Sequence, residues 1–221
     1  MTNSNRNRDE ASERRSIVEG KEDALRAARE WQDQTDTMWT DGSRLEDGGV
    51  GAEVAFWSEG RWVRRGTHLG KNKEAFDAEV FILLRAVGLL CDRGESGKRY
   101  TIFSDSRAAV SRIQHDRCGP TQALAKAVIA RTDELAEWGN TLTFRWTPSH
   151  EGVAGNEQAD EAARLAAEGE GDRAVPEYIR EASLSHLKRK TTEARSQATA
   201  QWIREQVGRR RRYHPHPGGR L

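Results

Sequence analysis

The chain has 221 residues, 32% of them charged and 35% hydrophobic, enough for one ordinary core with polar additions. No apolar run reaches the roughly 18 residues of a membrane span, the first fifteen residues hold no apolar segment of a secretory signal, and two cysteines without CxxC spacing give neither a disulfide framework nor a metal knuckle. The net charge of +1 conceals a split, +8 on residues 186–221 and −7 on the rest, so we expect an intracellular protein of cytoplasm or nucleus, off the membrane, with a polyanionic partner.

Residues 1–36 read as a polar N-terminal extension with one helical patch, "EDALRAAREW", whose Trp31 packs back on the domain. "TMWTDGS" is a short apolar strand that stops at a turn, Asp41-Gly42-Ser43. "VGAEVAFW" and "RWVRRGTHL" flank "SEG" and form a hairpin. "KEAFDAEVFILLRAVGLLCDRG" is a helix, with Phe76, Val80, Leu83, Leu84, Val87 and Leu90 at helical spacing and Gly94 as its stop. "YTIFSD" is a buried strand ending at Asp105, with the helix "SRAAVSRIQ" behind it. The helix "TQALAKAVIARTDELAEWG", the strand "TLTFRWT" and, after a glycine-rich turn, the helix "NEQADEAARLAAEG" complete a domain over residues 37–170.

This order predicts an α/β fold: a five-stranded mixed sheet, its first three strands antiparallel and the rest parallel, with helices on both faces. Residues 171–221 form a basic C-terminal extension, in which "SHLKRKTTEARSQATAQWIREQV" has helical character with Leu184, Leu187, Ala194, Ala198, Trp202 and Val207 toward one side. "HPH", with His214 and His216, lacks the companions a zinc site needs.

Asp41 and Asp105 stand where buried strands give out, the end of a sheet that faces a cleft. Taken singly, each is as well explained as a turn or cap aspartate. Glu79 lies on the apolar face of its helix, where burying a carboxylate is costly unless it is paired or holds a metal, and Asp77 is expected to turn to solvent. Asp160 sits in the helix after the turn. Four such acids converging would repel unless cations neutralise them, as Mg²⁺ does in all-oxygen sites.

"TDGS" at Asp41, "DAE" at Glu79, "SDS" at Asp105 and "WTPSHEGVAGNEQAD" ending at Asp160 resemble the signature of the ribonuclease H family, type 1, over about residues 37–170. The resemblance implies a ribonuclease H-like fold and hydrolysis of the RNA strand of an RNA–DNA hybrid. It implies two Mg²⁺ ions, replaceable by Mn²⁺, held by Asp41, Glu79, Asp105 and Asp160, with 5′-phosphate and 3′-hydroxyl products. His150 matches the family's loop histidine, which assists proton transfer or product release. Gly152 and Gly155 are expected to give that loop its backbone freedom, and Asn156 with Glu157 to cap the helix. Ser43, Asn72, Lys73, Ser106 and Asn156 are the expected substrate contacts.

The phrases "WTDGSRLEDGGVGAEV", "FDAE" and "SLSHLKRKTTEARSQATAQWIREQ" also resemble the segment following the reverse transcriptase in fungal non-LTR (LINE-type) retrotransposon polyproteins. That resemblance implies a monomeric fragment working in cis with a reverse transcriptase. The chain departs from the family it resembles in lacking a basic handle between "IQHDRCGP" and "TQALAK", and Met38–Glu170 is acidic, 17 basic residues against 21 acidic. Glu74, Ala75 and Phe76 replace the small polar residues that touch phosphate, leaving Lys71, Asn72 and Lys73 as substitutes. A catalytically silent nucleic-acid-binding or spacer domain is the alternative; an exonuclease with Asp-x-Glu on its first strand and an integrase-like enzyme fit the motifs poorly.

Overall fold

A computed structural model describes residues 16–17, 20–114, 118–171, 175, 179 and 181–212. His214 and His216 lie outside the described residues. The elements are β1 (Ser16–Ile17), α1 (Lys21–Trp31), β2 (Thr37–Arg44), β3 (Val50–Ser58), β4 (Arg61–Gly70), α2 (Ala75–Asp92), β5 (Arg99–Ser104), α3 (Arg107–Arg112), α4 (Gln122–Glu137), β6 (Thr141–Trp146), α5 (Ala154–Leu165), a π-helical turn (Ala166–Glu170) and α6 (Leu184–Arg212). The chain divides into two compact units, Met1–Ser183 and Leu184–Leu221. Among the described residues no helix is long and apolar enough to cross a membrane.

The sheet order is β1-β6-β5-β2-β3-β4. β2, β3 and β4 pair antiparallel, and β5 joins β2, and β6 joins β5, in parallel. These are the five expected strands in their expected sense. The structure adds a sixth, since Ser16 and Ile17 pair in parallel with Phe144 and Arg145, and two residues carry too little periodicity to be read from sequence.

Alternation along β2 divides the core. Met38 joins the larger cluster with the apolar faces of α2, α3 and α4, while Trp39 points to the other face with Ala28 of α1, Ala55, Phe103, Val153 and Ala159. Trp31 packs on this second cluster, so the helical patch before residue 37 covers the sheet. Trp39 is fully buried and stacks on Phe103 with ring centroids 4.4 Å apart.

Further along, Ile179 is 3% exposed and belongs to the main core, although sequence alone placed it in the C-terminal extension. Asp77 also departs from expectation. It is buried rather than solvated, because its Oδ2 accepts the Glu74 amide in a reciprocal capping box and the Ser183 hydroxyl.

Gly155 lies in the first turn of α5 with no positive φ, so the expected loop glycine is a packing glycine. A Cβ there would lie 2.3 Å from the Trp39 indole. Gly→Ala inside a helix ordinarily gains up to about 1 kcal/mol, whereas overpacking a core costs about 1–3 kcal/mol. Gly155→Ala is therefore expected to destabilise the fold by about 1–2 kcal/mol. Urea unfolding checks this as a lower midpoint at unchanged m-value.

Candidate metal centre

Strand parity places the first acid. Asp41 is two residues after Trp39 on β2 and so shares the sheet face covered by α5, the helix that carries Asp160. β5 lies beside β2, locked by the Thr40 hydroxyl donating to the Phe103 carbonyl at 3.0 Å, and Asp105 follows directly after its last residue. Glu79 arrives from α2. Gly42 permits that approach, since a Cβ there would lie 2.7 Å from the Glu79 nitrogen. The Gly42 amide also hydrogen-bonds both Asp41 and Glu79.

Carboxylate oxygens of Asp41, Glu79 and Asp105 all lie within 4.8 Å of one another. Asp41 is 6% exposed. Glu79 and Asp105 are half-buried, and the buried Glu79 Oε2 has no hydrogen-bond partner. The electrostatics follow. Burial first, then the Asp105 and Asp160 charges, push the Asp41 carboxyl up to about 7 against the opposing Gly42 amide. Burial, then Asp41 and Asp105, hold Glu79 well above its ordinary range. Burial and Asp160 raise Asp105, which accepts hydrogen bonds from Asp41 and from the Asn156 side chain. Three clustered carboxylates, one oxygen of which has no hydrogen-bond partner and all of which are pushed toward holding their protons by burial and by one another's charge, fit a hard divalent cation.

The remaining expected residues divide into rim and bystander. Asp160 stands outside the triplet, its side chain 48% exposed, with Oδ2 3.9 Å from the Nδ1 of His150. His150 is exposed and itself adopts a left-handed φ of 56°, in the loop where Gly152 has φ 71°. α5 begins with Val153 as its N-cap, so Asn156 does not cap it. Asn156 is instead buried in the first turn, where its side-chain amide donates to Asp105 while its Oδ1 has no partner.

Ser43 is half-buried on β2 two residues beyond Asp41. The Ser106 hydroxyl caps α3 by accepting the Ala109 amide. Lys73, expected to reach phosphate, is buried with its Nζ on the Glu181 carbonyl, and burial lowers its proton affinity. Asn72 is exposed, and its carbonyl accepts the Ser183 amide. Lys71 pairs with Asp47 at 2.6 Å. The distant chain segment 181–183 engages Lys73 and Asn72, and no local pattern announces it. Sequence reasoning also passed over Trp146 as a support of the site: its Nε1 donates to the Asp105 carbonyl at 2.9 Å, and its place at the end of a strand parallel to β5 was the available signal.

Fold and site define an α/β domain with a partly buried carboxylate triplet suited to a hard cation. The RNase H family model matches residues 33–168, and the chain belongs to the RNase H family. Among solved structures it is similar to LC11-RNase H1 in complex with an RNA/DNA hybrid, with 24% identity and a TM-score of 0.50 over 60% of this chain and 96% of that one. It is also similar to LC11-RNase H1 isolated from compost by a metagenomic approach, with 22% identity and a TM-score of 0.50 over 60% of this chain and 94% of the other. At these identities the likeness shows the fold. No curated protein sequence matches the chain.

Because Asp41 binds its proton more tightly folded than unfolded, the stability linked to that proton is complete below its ordinary 3.8 and is lost as pH rises through about 7. In chelator, the melting temperature is expected to fall between about pH 4 and pH 7, and Asp41→Asn to flatten that fall and raise the melting temperature at the alkaline end. Millimolar Mg²⁺ should restore the wild type most at the alkaline end, where the carboxylates are free to bind it, and leave Asp41→Asn nearly unmoved. A wild-type profile indifferent to both pH and metal would count against the cluster as a cation site.

Proposed function

We propose that the chain is an endonuclease that hydrolyses the RNA strand of RNA–DNA hybrids. The observation that carries the reading is the partly buried triplet Asp41, Glu79 and Asp105 inside a domain of the RNase H family, with Asp160 and His150 at its rim. The similarity to an RNase H1 structure containing an RNA/DNA hybrid supports the substrate class. Two bound Mg²⁺ ions, or Mn²⁺ in their place, would activate water and stabilise the leaving oxygen of the phosphodiester.

The chain's own residues have distinct tasks in this reading. Asp41, Glu79 and Asp105 hold the cations, and Asp160 completes the rim. Asn156 fixes Asp105 by hydrogen bond, and Ser43, two residues beyond Asp41, is the substrate contact on β2. His150, exposed and 3.9 Å from Asp160, accepts a proton or delivers one to the departing product, a task for the one side chain that ordinarily exchanges protons near neutral pH. Hydrolysis leaves a 5′-phosphate and a 3′-hydroxyl.

The acidic body needs help to hold a polyanion. α6 carries nine basic residues against two acidic ones, and Leu187, Trp202, Ile203 and Val207 on it are exposed. We assign it the role of backbone grip. The wording shared with retrotransposon polyproteins supports a place in cis with a reverse transcriptase, inside the cell.

The direct test incubates the chain with a labelled hybrid beside single-stranded RNA, double-stranded RNA and duplex DNA, with Mg²⁺, Mn²⁺ or EDTA. We expect metal-dependent cutting of the hybrid's RNA strand alone. Asp105→Asn should lower it on the order of a thousandfold or more, the scale of the several kcal/mol a bound cation supplies. Binding without cutting under any metal would favour the silent-domain alternative.

The grip has its own test. Truncation belongs after Ser183, because Ile179 is core and Ser183 is bonded to Asp77. That variant should raise the Michaelis constant for hybrid and flatten its salt dependence by about 0.9 in log–log slope for each phosphate that α6 neutralises; identical slopes would remove α6 from the grip.

A further inference from the structure

Three basic side chains that could meet phosphate near the acids are already committed. Arg44 lies 3.7 Å from Glu74, Lys71 pairs with Asp47 and Lys73 donates to Glu181. Arg107, two residues after Asp105, is different. It is exposed, and among the described residues it has no acid partner. Its guanidinium carbon lies 3.6 Å from the centroid of the Trp146 ring. The same indole donates its Nε1–H to the Asp105 carbonyl at 2.9 Å. One tryptophan therefore ties a free guanidinium to the end of the strand that presents a cluster acid.

An unpaired arginine on a surface ordinarily samples many rotamers, and stacking on an indole holds it at a cost in side-chain entropy. Stacking covers one face of the guanidinium plane and leaves its edge N–H groups outward. That edge matches two phosphate oxygens at once, which an ammonium cannot do.

We propose that Arg107 contacts a backbone phosphate of the bound nucleic acid beside the carboxylate cluster, and that Trp146 is the positioning residue that holds it there. This rests on the nuclease reading for its substrate. The contact stands in for the phosphate pocket missing at Glu74, Ala75 and Phe76, and sets the register of the strand against Asp105.

The test measures binding of an RNA–DNA hybrid by fluorescence anisotropy in EDTA, where cleavage plays no part, over about 50–200 mM salt. Arg107→Gln keeps the stem without the charge and is expected to bind about tenfold more weakly at the low-salt end, with a log–log salt slope shallower by about 0.9 and an unchanged melting temperature. Arg107→Lys should keep the slope and recover only part of the affinity. Trp146→Phe, which keeps a ring and deletes the Nε1–H, should lower kcat in the Mg²⁺ assay through Asp105 and shift KM less than Arg107→Gln does. Wild-type binding with an Arg107→Gln slope and affinity equal to it would overturn the proposal while leaving the nuclease reading intact. A wild type that binds no hybrid would overturn both.

Discussion

Three carboxylates brought together in a buried place are an energetic liability, and much of the domain is arranged around that liability. Repulsion among Asp41, Glu79 and Asp105 is tolerated because each belongs to a different element whose position is set by apolar packing elsewhere. β2 is pinned by the Trp39–Phe103 stack, and α2 by its own apolar residues in the main core. The scaffold spends its stability on preorganised oxygen ligands. A cation then finds the charge already assembled instead of having to gather it.

The two cores divide this labour. The larger one delivers Glu79 from above the sheet, past a glycine that lets helix and strand nearly touch. The smaller one, built on Trp39 with α1 and α5, brings Asp160 and Asn156 to the opposite side. A chain segment before the expected domain start thus contributes to the smaller core. The positions of the rim residues depend on packing there, because α5 rests on the indole through Gly155.

Much of this was legible in the residues. Alternation in "MWTDGS", the apolar helical face around Glu79 and the strand end at "IFSD" place the three acids on the elements where they stand. What escaped depends on contacts distant in sequence. Nothing local shows that Asp77 will be buried under Ser183, or that Lys73 will be turned to a carbonyl 108 residues away. The start of α5 was misjudged by a few residues because Asn156 has the chemistry of a cap, and its side chain serves Asp105 instead. Gly155 has the look of a loop glycine until Trp39 is seen against it.

The two margins of the sheet are protected by different means. At one margin β4 displays Arg61, Arg64 and Arg65 to solvent, and at the other, among the described residues, β1 pairs through two residues. A strand approaching the first meets long charged side chains, Arg64 with its partner Glu161 among them, and one approaching the second meets a short ladder among the described residues. A sheet finished in this way resists edge-to-edge recruitment by other sheets, so the domain can be expressed at high local concentration, or tethered among β-rich neighbours, without nucleating cross-strand aggregation.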